Sequence, residues 1–117
     1  MSTAPQWVFG PFRLDPDHAC LWCEAQAVVL PPKVFAVLHY LVTHPDRLVT
    51  KDELLEAVWG WTFGDQSTVT VHVRRLREKI ENDPANPTRI VTVWGVGYRF
   101  ESAGRSAARA TNEDSRA

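Results

Sequence analysis

Residues 67–82 read STVTVHVRRLREKIEN and combine an apolar stripe with a cluster of arginines. Apolar side chains recur at steps of four, three and four residues, which places them on one face of an α-helix. These residues are Val69, Val73, Leu76 and Ile80. Pro84 follows shortly afterwards and cannot continue a helix. The pattern predicts a helix over about 67–82 with one face against a core.

The opposite face of this predicted helix is basic, with one exposed apolar position. At about 100° per residue it carries Thr68, Val71, His72, Arg75 and Lys79, with Thr70, Arg74 and Arg77 on a flank. An arginine can present a bidentate fork to guanine, and an exposed valine can touch a thymine methyl group. Free amides at the start of the helix would also suit phosphate. We favour a helix that enters the major groove over a solvated face in which Arg77 and Lys79 balance Glu78 and Glu81.

The segment after the helix predicts a β-hairpin. Apolar residues alternate over Arg89–Val93 and again over Gly97–Glu101, on either side of a Trp94-Gly95-Val96-Gly97 tip. Three helices with a basic last helix, followed by such a hairpin, form the layout of a winged helix-turn-helix.

Two further helices are predicted upstream. The prolines at 31–32 open the first, and Pro45 ends it. Thr50–Glu53 forms a capping box, in which the hydroxyl accepts an amide and the glutamate reaches back, and Gly60 stops the second helix. From Trp7 to Leu30, short apolar runs separated by turn residues predict four antiparallel strands.

The predicted fold is therefore α+β. It is a winged helix-turn-helix with a four-stranded N-terminal antiparallel sheet, a three-helix core and a C-terminal β-hairpin wing. The predicted domain covers residues 7–101. Residues 1–6 are expected to be a flexible N-terminus, and residues 102–117, which carry no large apolar side chain, a disordered tail or linker.

Charge is unevenly distributed along the 117 residues. The net charge of −1 argues against a protein that coats nucleic acid indiscriminately. Residues 1–66 nevertheless carry −4 and residues 67–100 carry +3. No apolar run reaches the roughly 18 residues of a membrane span, and the N-terminus lacks the features of a secretory signal, so we expect a cytoplasmic protein.

Several residues that could carry other chemistry are discounted. Cys20 and Cys23 form a C-x-x-C motif in a predicted strand, without a second ligand pair, so neither zinc nor redox function is favoured. His39 and His44 are expected to be packed or solvated. Paired carboxylates such as Asp52/Glu53 and Glu78/Glu81 are interpreted as helix-terminal or exposed charges. We predict no enzymatic activity, no metal and no cofactor.

From about Trp7 to Phe100, the chain resembles the OmpR/PhoB-type winged-helix DNA-binding domain. The similar segments are LPPKVF at 30–35, LVTKDELL at 48–55 with VWG at 58–60, TV at 68–69 with VHVRRLR at 71–77, and IVTVWGVGYRF at 90–100. Each is weak alone, but all four in this order are highly specific.

The resemblance implies that the third helix enters the major groove and that the wing reaches the adjacent minor groove of double-stranded DNA. The positions that would face bases are Thr68, Val71 and Arg75. Those that would contact phosphates are Ser67, His72, Arg74, Arg77, Thr92 and Tyr98. The 60–66 loop, with Trp61, Thr62 and Phe63, matches a segment that some members use to touch RNA polymerase.

Three positions depart from the family pattern. Ser67 stands where arginine is frequent, Thr70 where aspartate is usual, and Trp94 at the wing tip where many members place arginine. Trp94 could pack on sugars, insert shallowly or brace the wing. The family's phosphoacceptor receiver domain is absent from these residues, so the tail could lead to a missing sensor or effector domain or end a small protein.

The leading hypothesis is a sequence-specific DNA-binding regulator of transcription, such as the effector part of a phosphorelay-type regulator, with two copies on tandem half-sites. The alternative is a winged-helix interaction module that has lost DNA binding and uses Trp61, Phe63 and Trp94 as a protein-binding surface.

Overall fold

In the part of the chain that the structure describes, two antiparallel sheets pack with three main helices, and a short 3-10 helix (Pro16–His18) connects two of the strands. The computed structural model describes residues 7–61 and 64–101. The elements are β1 (Trp7–Phe9), β2 (Phe12–Asp15), β3 (Cys20–Cys23), β4 (Gln26–Val28), α1 (Pro32–Val42), β5 (Leu48–Thr50), α2 (Lys51–Leu54) with a π-helical continuation (Leu55–Trp59), α3 (Ser67–Ile80), β6 (Ile90–Val93) and β7 (Gly97–Phe100). The predicted α+β winged helix is confirmed. The predicted end segments, 1–6 and 102–117, lie outside the described residues.

The N-terminal sheet follows the chain in the order β1-β2-β3-β4. Alternation along the strands turns Phe9, Phe12, Leu14 and Leu21 inward, where all four are buried. Phe9 stacks on Phe12 with ring centroids 5.3 Å apart and meets Phe100 of β7 edge-on at 5.2 Å. The sheet is thereby joined to the C-terminal hairpin through one aromatic cluster.

The three helices share the same core. Six residues of α1 are buried, namely Val34, Phe35, Val37, Leu38, Leu41 and Val42. The predicted stripe of α3 is also buried over its full length, at Val69, Val73, Leu76 and Ile80. Since this stripe fixes the rotation of α3 about its axis, it also fixes which side chains of α3 face outward.

The wing belongs to a three-stranded sheet in the order β5-β7-β6. The sequence predicted the hairpin but not β5, whose three residues directly precede α2 and lack the length of an independent strand signal. Val49 is opposite Tyr98, and Thr50 is opposite Gly97. The strand therefore ties the wing to the start of α2.

The capping box at α2 forms only in part. Thr50 Oγ1 accepts from the Glu53 amide at 3.0 Å, as predicted. The Glu53 side chain does not reach back, because its Oε2 accepts from Arg47 Nη2 and from the Tyr40 hydroxyl, each at 2.5 Å. The helix then widens into the π-helical turn and ends at Gly60, whose φ of +76° is left-handed, as expected for a glycine stop.

The hydrogen bonds from Arg47 and Tyr40 to the Glu53 carboxylate should make the free energy of unfolding depend on pH. Partial burial raises the pKa of Glu53, but hydrogen bonds from Arg47 and then Tyr40 outweigh it, so the pKa lies below its ordinary value. A lowered folded-state pKa contributes stability above the unfolded value of about 4.3, and that contribution is lost as pH falls through the folded pKa. We expect Glu53→Gln to be less stable than the parent by about 1–2 kcal/mol at pH 6, with the gap closing below about pH 4.

Urea unfolding at a series of pH values measures this gap. Glu56→Gln, an exposed carboxylate on the following turn, is the matched control and should track the parent. If the parent and Glu53→Gln differ in unfolding free energy by the same amount at pH 6 and pH 3, the lowered pKa of Glu53 is contradicted.

The two cysteines lie in β3 and are free thiols. Cys20 pairs with Asp15 and Cys23 pairs with Gln26, and positions three apart in a strand point to opposite faces, as expected. Within residues 7–61 and 64–101, no three His, Cys, Asp or Glu side chains come together in a way that could hold a metal ion. Over the same residues, no helix is long and apolar enough to span a membrane.

Candidate nucleic-acid interface

The outer face of α3 has the composition that the helical wheel indicates. Arg74, Arg75 and Lys79 are exposed, and Val71 is 42% exposed although it is apolar. Thr68 and His72 are half-buried beside them. The buried stripe on the other side prevents rotation, so Val71 and Arg75 are presented together one turn apart.

The first turn of α3 differs from the prediction. The expectation of free amides for phosphate is wrong, because Asp65 Oδ1 accepts from the Ser67 amide at 2.9 Å. The Thr68 amide donates to the Asp65 carbonyl, and the next two amides donate to the Gln66 carbonyl. The bonds from the Ser67 amide and then its hydroxyl lower the pKa of Asp65. A carboxylate therefore occupies this helix end, and Ser67 offers an exposed hydroxyl but no free amide.

His72 is held by its own helix and by Trp59 at the end of the π-helical turn that continues α2. Its Nδ1 lies 2.7 Å from the Thr68 carbonyl, so this nitrogen is the donor. Its ring meets that of Trp59 edge-on, with centroids 4.9 Å apart. The imidazole is thus oriented before any ligand arrives.

Arg77 links α3 to the wing. Its Nε and Nη2 both donate to the Ile90 carbonyl, at 3.1 and 2.7 Å, and Nη2 also donates to Thr92 Oγ1 at 2.8 Å. The guanidinium lies 5.4 Å from the ring centroid of Tyr98, which is itself buried. Burial lowers the pKa of Arg77, against the influence of Tyr98 and Glu81. Three residues that were expected to contact phosphates therefore contact each other inside the protein, where α3 meets the wing. They are Arg77, Thr92 and Tyr98.

A cleft of about 410 Å³ lies where α3 meets the wing. It is lined by Thr70, Arg74, Arg77, Glu78, Pro84, Ala85 and Tyr98. Arg74 is exposed on one side of the cleft, and Arg77 forms its inner wall. The cleft brings together two arginines, which suits one phosphate group, while Glu78 limits the positive charge.

Glu81 does not match the prediction of an exposed charge. It is 7% exposed, and its carboxylate accepts from three consecutive backbone amides, those of Thr88, Arg89 and Ile90. The chain after α3 thus folds back over Glu81 and enters β6. The burial of Glu81 could not be predicted from helical periodicity, which places this residue off the apolar stripe. The prolines at 84 and 87 indicate that the chain turns after α3, and this turn is the sequence signal that a later segment covers Glu81.

The wing tip is uncharged and carries an exposed tryptophan. The Val96 amide donates to the Val93 carbonyl at 3.0 Å, and Gly95 has a φ of +78°, as position i+2 of a type II turn requires. Trp94 is 88% exposed at this turn. Exposure of that extent is incompatible with the interpretation that Trp94 braces the wing.

The loop between α2 and α3 is described in part. Trp61 is exposed, and its ring lies 6.1 Å from that of Trp59. Thr62 and Phe63, which were predicted to form the polymerase-contact loop with Trp61, lie outside the described residues. Gln66 Nε2 donates to Asp52 Oδ1 at 3.0 Å and holds the end of the loop to α2.

This architecture defines a winged helix-turn-helix domain with a basic, outward-facing third helix. Residues 25–100 match the family described as "Transcriptional regulatory protein, C terminal", and the chain belongs to that family. The identification of an OmpR/PhoB-type winged-helix domain is confirmed.

Relatives and solved structures agree with this assignment. The chain is 43% identical over 100 residues to the transcriptional regulatory protein YvrH of Bacillus subtilis, covering 85% of this chain and 42% of that protein. It is 46% identical over 94 residues to the sensory transduction protein RegX3 of Mycobacterium leprae, covering 80% and 48%. The chain therefore spans less than half the length of these relatives.

Among solved structures, the Klebsiella pneumoniae RstA DNA-binding domain in complex with the RstA box is 32% identical, with a TM-score of 0.77, covering 85% of this chain and 99% of that one. The response regulator DrrB of Thermotoga maritima, an OmpR/PhoB homologue, is 32% identical, with a TM-score of 0.75, covering 82% and 44%.

Proposed function

We propose that this domain binds double-stranded DNA at a specific sequence and thereby regulates transcription. The observation that carries the proposal is the outer face of α3, where Val71 and Arg75 stand exposed on a helix locked by its buried stripe. Family membership supports it, as does similarity to a domain solved with its DNA box. The domain is a binding module, and no catalytic role is proposed for it.

The residues divide by role. Thr68, Val71 and Arg75 face the bases of the major groove, where arginine recognises guanine and valine contacts a thymine methyl group. Arg74, which is exposed, holds one phosphate at the cleft between α3 and the wing. Arg77 contributes positive charge to the wall of that cleft, because its Nε and Nη2 are already bonded to Ile90 and Thr92. Four other residues contribute weaker phosphate contacts. The side chains of His72, Thr92 and Tyr98 are half-buried or buried, and Ser67 is bonded to the Asp65 carboxylate.

Further partners follow from the same proposal. A single domain buries little surface, so two copies would associate on tandem half-sites about one turn of DNA apart. The 60–66 loop, with Trp61, Thr62 and Phe63, would contact RNA polymerase. A sensor or effector domain elsewhere in the protein would supply the signal, and the site of action would be the cytoplasm.

Salt-dependent binding tests the proposal. If two bound copies each neutralise about two phosphates with the exposed basic side chains of α3, the logarithm of the binding constant should fall with the logarithm of salt concentration at a slope of about −4. Fluorescence anisotropy with a random-sequence duplex pool at several salt concentrations measures it. Absence of salt-dependent binding would favour the interaction module that no longer binds DNA.

Arg75 and Arg74 form a matched pair for specificity, because they are adjacent, exposed arginines with different orientations. Arg75→Ala is expected to lose discrimination at one base pair, costing about 1–3 kcal/mol on the selected site. Arg74→Ala should weaken selected and scrambled duplexes alike. Equal losses for both variants on both duplexes would contradict this division.

A further inference from the structure

We infer that Trp94 binds the minor groove by apolar packing against the deoxyribose walls, so that the wing adds affinity without adding a phosphate contact. The inference rests on the proposed DNA binding. It concerns the wing tip, where the exposed side chains of Trp94 and Val96 are apolar.

The geometry of the cleft places the wing. The cleft is lined by α3 residues, including the exposed Arg74, and by Tyr98 of β7. If Arg74 holds a backbone phosphate there, the DNA strand passes between α3 and the hairpin. With α3 in the major groove, the far side of the strand is the minor groove. The wing tip is therefore the part of the domain that can enter it.

Electrostatic attraction to phosphates cannot hold the wing tip in the minor groove, because the tip carries no charge. The run Ile90–Tyr98 contains no charged residue. Arginines beside this run are engaged with protein groups. Arg77 donates to the Thr92 hydroxyl, Arg89 donates to the Ile80 carbonyl, and Arg99 pairs with Glu101. The exposed groups at the tip are Trp94 and Val96, both apolar.

The hairpin is rigid enough to present Trp94 at a fixed position. Arg77 bonds the Ile90 carbonyl and the Thr92 hydroxyl, and Glu81 accepts from the Ile90 amide at 2.7 Å. The tip is closed by the turn bond from Val96 to Val93. A preorganised hairpin loses little conformational entropy on binding, so burial of the indole against sugars converts efficiently into affinity.

This mode of contact predicts a distinct salt signature. Trp94→Ala should weaken binding about tenfold without changing the salt slope, because no counterion is released by an indole. Trp94→Arg should recover affinity at low salt and steepen the slope by about 0.9 for each bound copy, the value for one added phosphate contact. Trp94→Phe should retain part of the affinity with the parental slope.

The experiment is anisotropy at several salt concentrations on a duplex of about two helical turns, selected from a random pool by the parent domain. Val29→Ala, an exposed apolar residue just after β4, is the control and should bind as the parent does. Circular dichroism melts check folding, and Trp94→Ala should melt as the parent does because the side chain is 88% exposed.

The outcomes separate the two proposals. Parental binding that survives Trp94→Ala unchanged, or a Trp94→Ala loss accompanied by a shallower slope, would overturn the role of the wing and leave the DNA-binding function intact. Absence of salt-dependent binding by the parent domain would overturn both.

Discussion

Replacing Glu81 with glutamine is expected to lower the free energy of unfolding by about 3 kcal/mol. The buried carboxylate accepts four hydrogen bonds from the amides of Thr88, Arg89 and Ile90, at 2.7–3.1 Å. Glutamine keeps the volume but turns one acceptor oxygen into an NH2 donor, which then faces a backbone N–H. At least one buried amide loses its partner, and the remaining bonds lose their charge-assisted character.

Urea unfolding followed by tryptophan fluorescence measures the loss. Glu78→Gln is the matched control, since Glu78 is exposed one turn earlier on α3, and its effect should stay within about 0.5 kcal/mol. Glu81→Ala should be worse than Glu81→Gln, because it leaves all three amides without an acceptor. Similar unfolding free energies for the Glu81 and Glu78 variants would show that Glu81 does not anchor the wing.

Replacing Gly97 with alanine is expected to cost about 3 kcal/mol and to disrupt the wing. A Cβ at Gly97 would lie 2.1 Å from the Val49 carbonyl oxygen and 2.8 Å from the Thr50 Cα. Both atoms belong to the backbone of β5, so relief requires β5 and β7 to separate rather than a side chain to move. The pairing that ties the wing to α2 would then be lost.

Gly95→Ala is the control for this substitution. Gly95 has a left-handed φ of +78°, but among the described residues no atom beyond its chain neighbours lies within 4 Å of the point that a Cβ would occupy. Alanine there should therefore cost about 1 kcal/mol from backbone strain alone. Unfolding free energies and amide exchange in β7 distinguish the two variants. Equal costs would mean that the close approach of β5 and β7 is not what requires glycine at position 97.

Much of this fold follows from local patterns in the sequence. The stripe at Val69, Val73, Leu76 and Ile80 determines that α3 is a helix and which face it buries, because helical spacing and burial are tied by geometry. The glycine at position 60, the prolines and the alternating runs set the ends of most elements in the same way. The outward position of Arg75 and Val71 follows directly from the stripe.

The roles of Arg77 and Glu81 were decided by tertiary structure alone. Both lie off the apolar stripe, and a helical wheel assigns such positions to solvent. The chain after α3 instead folds back, so that Ile90 brings its carbonyl to Arg77 and its amide to Glu81. A wheel describes one helix, and it carries no information about a later segment of the chain that covers the helix.

The same reason explains β5 and the start of α3. A three-residue strand has too little alternation to be recognised, and it exists because β7 supplies its hydrogen bonds. The Ser67 amide is taken by Asp65 because the loop folds that way. The sequence by itself determined the order of elements and the outward face of α3, since both depend on neighbours in the chain. The tertiary structure decided which charged residues remain available to a ligand, since that depends on contacts between distant segments.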